Sequence, residues 1–196
     1  ADFFPFLLCN VGTGCSILQV HSETRWERIS GTALGGGTFL GLCRRLTEAR
    51  GFAEAVAMAE RGDARKVDML VRDIYGDGEK QSGLNLPGDL TASFFARNLG
   101  APGRIASDDA DMCKALDVMV AQNVAQIAHL NAQVHGLKRV FFTGNFLRGN
   151  ELASKTIVYT MRRLPRLPGA SASTEAVFFK HEGYFGAIGA FLEQLA

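Results

Sequence analysis

Asn10-Val11-Gly12-Thr13-Gly14-Cys15-Ser16 is the stretch from which the fold is read. Before it, residues 3–9 form the short apolar run Phe3-Phe4-Pro5-Phe6-Leu7-Leu8-Cys9, the pattern of a buried strand. After it, residues 15–21 supply a second strand, with Ile17, Leu18 and Val20 as its apolar members. Gly-Thr-Gly between two strands turns without steric cost, so the spacing predicts a hairpin. Such a tip is either an ordinary turn or a clamp whose bare N–H groups and hydroxyl face a phosphate. A third strand is expected over Trp26 to Ser30. Gly35-Gly36-Gly37-Thr38 then precedes the helix expected from Gly37 to Thr47. It is either a flexible joint or an anion site, because peptide N–H groups and the dipole at a helix start favour negative charge. Two such segments at short range strengthen the phosphate reading.

Composition narrows the classes. In 196 residues, 21 Lys and Arg balance 20 Asp and Glu, a net charge of +1 that offers no field to nucleic acid or anionic membrane. No apolar run has the length of a membrane span. Cys9, Cys15, Cys43 and Cys113 include no Cys-x-x-Cys pair and no zinc spacing, so free thiols in a reducing, cytoplasmic setting are expected. Within the turn region, Cys15 is either a reactive thiol or, on the plainer reading, an incidental small residue.

Further along, residues 51–62 are alanine-rich and helical. Asp63 is placed to cap a helix whose Val67, Leu70, Val71 and Ile74 share a face. Residues 75–107 are rich in Gly, Pro, Asn and Ser, with helical character only from Leu90 to Leu99. Asp108 should cap a long helix reaching about Asn131, with Met112, Leu116, Met119, Val120, Val124, Ile127 and Leu130 as a packing stripe. His129 and His135, near its end, are read as surface or capping groups. Arg139–Thr143 is a buried strand, Gly144-Asn145 its turn, and Asn150 the cap of a helix to about Met161. Strand, glycine turn and helix together form a ligand site at the carboxyl edge of an α/β sheet. A last strand, residues 176–179, precedes His181-Glu182-Gly183 and a closing helix.

Phe4–Leu8, Asn10–Gly14, Gly31–Leu42, Gly144–Arg148 and His181–Ala187 resemble, in order and over nearly the whole chain, the eukaryotic-type pantothenate kinases. The resemblance implies an α/β fold of the actin-like, ribonuclease H-like kind. It would be a half-domain with a mixed sheet that starts with an antiparallel three-strand meander and is flanked by helices. It also implies transfer of the ATP γ-phosphoryl group to pantothenate, the first step of coenzyme A synthesis, with Mg²⁺. Family chains are longer. Their first half carries another phosphate hairpin, the metal-binding aspartate and the glutamate base, none of which lies in residues 1–196. Residues 1–196 are therefore expected to be the C-terminal actin-like domain, inactive alone. The alternative is a pseudokinase or fused subunit that binds nucleotide or coenzyme A, or only dimerises.

Residue by residue, the resemblance gives Gly12, Thr13, Gly14, Ser16, Arg28, Gly35, Gly36, Gly37, Gly144 and Asn145 to nucleotide, phosphate or acyl-coenzyme A binding. Ser16, Arg28 and Ala92 go to substrate. Arg28 matches the active-site arginine, whose two parallel hydrogen bonds suit a carboxylate or phosphoryl group. Read without the family, Arg28 is a solvated strand residue paired with Glu23 or Glu27. Ala92 falls in a segment that helps form a homodimer and closes over the partner's substrate pocket. The family's aromatics at about Arg163 and Leu164, which line the pantothenate and acyl-pantetheine pocket, are missing, and with them a basis for acetyl-coenzyme A inhibition. His181 and Glu182 are given capping roles and no catalytic one.

Overall fold

The structure is a computed structural model and describes residues 3–76, 87–97, 106–164, 173–179 and 188–191. The chain divides into two compact units, Ala1–Phe39 with Val120–Ala196, and Leu40–Met119.

The first unit is built on a five-stranded mixed sheet. Strands β1 (Phe6–Val11), β2 (Cys15–Val20) and β3 (Trp26–Thr32) form the expected antiparallel meander. Register places Asn10 opposite Ser16 and Val11 opposite Cys15, so the turn is Gly12-Thr13-Gly14. Val140 and Phe142, on a later strand within Arg139–Thr143, pair in parallel with Leu7 and Cys9. Since side chains alternate along a strand, Leu7, Cys9, Val11, Ile17, Val140 and Phe142 share one face, and all six are fully buried. Transferring such side chains from water is the main stabilising term, about 1.5–3 kcal/mol each for the larger ones. The opposite face carries an aromatic cluster, in which the Phe6 and Phe141 rings lie 4.7 Å apart.

The second unit differs from its sequence pattern in two places. Helix α1 (Gly36–Leu46) runs into it and α2 (Phe52–Arg61) follows as expected. The single helix expected after Asp63 is instead three pieces. Asp63 caps a 3-10 turn, Ala64–Lys66, by accepting the Arg65 N–H. Strand β4 (Met69–Leu70) and the short helix α3 (Val71–Tyr75) come next. The helical stretch expected from Leu90 begins as strand β5 (Thr91–Ser93), which pairs with β4. Buried Asp68 explains both departures. Its carboxylate accepts the Phe95 N–H at 2.9 Å, and Arg97 N–H bonds to the Val67 carbonyl, so the chain opens at 67–68 to receive the later segment. Local helical periodicity lost to this longer-range pairing.

Helix α4 (Asp109–Val134) has a reciprocal start: Asp108 accepts the Asp111 N–H, and Asp111 accepts the Asp108 N–H. Along its length Leu116, Val120 and Val124 are buried with Ala121, Ala125, Ala128 and Ala132, whereas Leu130 faces outward. His129 is not a surface group: it is buried, its Nε2 2.6 Å from the Gln133 amide nitrogen, while His135 is exposed. Strand β6 (Arg139–Thr143) leads to α5 (Glu151–Arg163), whose first turn is capped by Asn150 through the Ala153 N–H. Strand β7 (Glu175–Phe178) completes the order β3-β2-β1-β6-β7, parallel to β6. His181–Ala187 and most of the expected closing helix lie outside the described residues; residues 188–191 are helical.

Candidate functional site

At the carboxyl ends of β1 and β6, three glycine segments far apart in sequence meet. The Gly12–Gly14 turn lies against Gly35–Gly37, and Gly144–Phe146 closes from the β6 side. Gly36 and Gly37 donate their N–H groups to the carbonyls of Gly12 and Thr13, at 2.8 and 2.9 Å. The anion contacts expected from these two amides are thus replaced by bonds that brace the turn on the start of α1. A β-carbon at Gly35 would stand 2.6 Å from the Thr13 carbonyl oxygen, so only glycine allows this approach. Gly144 has φ +114°, and a β-carbon there would lie 2.4 Å from the Val11 carbonyl oxygen. The Phe146 N–H donates to that same carbonyl at 3.1 Å, and the Phe146 ring packs edge-on against Phe39, 5.8 Å between centroids. A rigid aromatic floor thus underlies the glycine cluster.

Thr13 is exposed at the tip, with its methyl group toward Gly37. Its amide and hydroxyl make no hydrogen bond among the described residues. Asn145 is exposed on the turn after β6.

Arg28 sits neither with Glu23 nor with Glu27; Glu27 pairs instead with His21 at 3.0 Å. Its guanidinium folds back over Gly31, where a β-carbon would be 2.5 Å from Arg28 Nη2. Gly31 lies opposite Ser16, and Ser16 opposite Asn10. Asn10, Ser16 and the Arg28 guanidinium therefore occupy the same face, the one that does not carry Cys9 and Cys15. Two residues of this group were not singled out in sequence. Asn10 is the lone exposed polar position in β1, which was a usable signal; the role of Gly31 depends on where the Arg28 arm lies. Ala92, exposed on β5, belongs to the second unit. Arg163 stacks over the Tyr159 ring at 4.7 Å, on a helix face that borders a cavity of about 420 Å³.

Among the described residues no three His, Cys, Asp or Glu side chains gather as a metal site. No helix among them is long and apolar enough to cross a membrane.

Comparison with known proteins supplies the context. The Fumble family matches residues 1–193. A mouse protein named 4'-phosphopantetheine phosphatase is 42% identical over 98% of this chain and 22% of its own length. Pantothenate kinase 1 of Arabidopsis thaliana is 42% identical over 97% of this chain and 48% of its own. The chain thus spans about a fifth to a half of these relatives. A solved structure of T. kodakarensis HypF aligns over 87% of this chain and 21% of that one, at 17% identity and a TM-score of 0.45, too low to carry an argument. With the resemblance to pantothenate kinases upheld over nearly its whole length, the chain belongs to the Fumble family.

Proposed function

We propose that this chain is the part of a pantothenate kinase that holds nucleotide phosphates and substrate, and that the complete protein transfers the ATP γ-phosphoryl group to pantothenate. One observation carries the proposal: three glycine segments converge at the carboxyl edge of β1 and β6, beside a face bearing Asn10, Ser16 and Arg28. Phosphoryl transfer asks for positioning and charge stabilisation. In this reading the Gly12–Gly14 tip, with the Thr13 amide and hydroxyl, meets phosphate oxygens. Gly35, Gly36 and Gly37 hold that tip in place, and Gly144 and Asn145 lie toward the nucleoside. Ser16 and Arg28 bind pantothenate, and Arg28 braces its carboxylate or the moving phosphoryl group. The antiparallel meander followed by parallel β6 and β7 supports an actin-like, ribonuclease H-like half-domain.

Mg²⁺ would accompany ATP and neutralise phosphate charge. The described residues offer no carboxylate cluster to hold it. A cytoplasmic homodimer in which Ala92 approaches a partner's pocket completes the proposal.

The test is turnover by the complete protein. Wild type should phosphorylate pantothenate, and Arg28→Ala should lower kcat/KM by roughly 100-fold, the scale of losing one transition-state donor, with its melting temperature kept. An unchanged kcat/KM removes Arg28 from the mechanism. A second reading, a non-catalytic module, draws on the mouse relative, whose name gives a phosphatase and no kinase, and of whose length this chain matches 22%. Nucleotide binding by the complete wild-type protein without any turnover selects that reading.

A further inference from the structure

Cys9 and Cys15 stand on the buried face of the β1–β2 hairpin with their sulfurs 3.4 Å apart. Cys9 lies opposite Ile17 and Cys15 opposite Val11, so the two are diagonal neighbours across the strands. Between them in sequence runs the Gly12–Gly14 turn. Both are free thiols; Cys9 is fully buried, and Cys15 keeps 6% exposure. We propose that this pair is an oxidation site, a dithiol that peroxide converts to an intra-hairpin disulfide.

The asymmetry sets the order of events. Cys15 is the thiol a small oxidant reaches. Its pKa is lowered by the hydrogen bond with Cys9 and, against the cost of burial, by the Arg28 charge. Cys9 is held protonated by the same hydrogen bond and by burial. The Cys15 thiolate attacks one oxygen of hydrogen peroxide. An S–O bond forms, the O–O bond breaks, and the departing hydroxide takes a proton to become water. The Cys9 sulfur then attacks the Cys15 sulfenic sulfur. The S–S bond forms, the S–O bond breaks, and hydroxide leaves with the Cys9 proton as a second water. Two thiols thus lose two electrons and two protons, and one peroxide gains them. Closure draws the sulfurs in by about 1.4 Å, from 3.4 Å to a bond of about 2.0 Å.

The experiment treats the full protein with hydrogen peroxide, blocks remaining thiols with N-ethylmaleimide, and digests with trypsin. Both cysteines fall in the peptide ending at Arg25, whereas Cys43 and Cys113 fall in others. The expected peptide carries no maleimide and is lighter by two hydrogens; dithiothreitol restores both labelling sites. In Cys9→Val, Cys15 should accumulate as a sulfenic acid trapped by dimedone, and in Cys15→Val, Cys9 should stay a thiol. Recovery of the wild-type peptide labelled at both cysteines, or carrying separate sulfinic acids, overturns the proposal. The wild-type measurement decides it even where a variant does not fold.

Discussion

Arg28 and Asp68 show how much a single side chain's surroundings decide. In sequence Arg28 has two acidic neighbours and a plain surface reading, yet its guanidinium crosses Gly31 toward Ser16 and not toward Glu27. Gly31→Ala should displace that arm without touching its charge, and its β-carbon, 2.6 Å from the Cys15 carbonyl oxygen, should also push β3 off β2 locally. The expected outcome is a raised KM for pantothenate in the complete protein, measured beside Arg28→Ala, with a smaller loss in kcat/KM than the arginine variant shows. Asp68 is buried, and burial pushes its pKa from 3.8 up to about 6, opposed only in part by the Phe95 N–H. The folded state therefore holds this proton more tightly than the unfolded chain does. Its contribution to stability falls as pH rises from about 4 through about 6, and is flat above. Asp63, held down to about 2 by Arg65, works in the opposite sense, losing its contribution as pH falls below 4. Asp68→Asn keeps an oxygen for the Phe95 N–H and removes the titration. The difference in unfolding free energy between Asp68→Asn and wild type, from denaturant titrations, should grow in the variant's favour from pH 4 to pH 6, by on the order of 2 kcal/mol. A constant difference across that range would show that Asp68 does not titrate there.

Among the elements, the glycine segments and the helix caps carry the site. The turn after β1 and the start of α1 are joined by two backbone bonds, and Gly35 leaves no room for a side chain. Gly35→Ala should force them apart and cost about 1–3 kcal/mol, the scale of overpacking, with a weaker affinity for ATP in the complete protein by calorimetry. Asn150, buried, caps α5 and also donates its own N–H to the Leu147 carbonyl, tying the helix to the turn after β6. Asn150→Ala should cost about 1–2 kcal/mol in a denaturant titration. These devices were legible in advance, since a cap and a glycine turn announce themselves by residue type and spacing. Residues 64–75 were not. Their periodicity is that of one helix, and what breaks it is pairing of Met69–Leu70 with a strand more than twenty positions away.

At the scale of the molecule, the chain forms two compact units and spans part of longer relatives, and the proposed activity is tested at that scale. Residues 1–196 alone are expected to give no turnover of pantothenate, and the complete protein to give it, in the same coupled assay for ADP. Turnover by residues 1–196 would mean that the base and metal ligand are supplied within them.

By itself the sequence determined the antiparallel meander, the turn at Gly12–Gly14, the parallel strand and capped helix after Lys138, and the family, because strand alternation, glycine turns and caps are local and each is written in adjacent residues. The tertiary structure alone decided that Gly36 and Gly37 spend their N–H groups on the turn, that Arg28 lies over Gly31, and that Cys9 meets Cys15. Each of these depends on register between strands or on the approach of two backbones, and no local pattern encodes a distance across a fold.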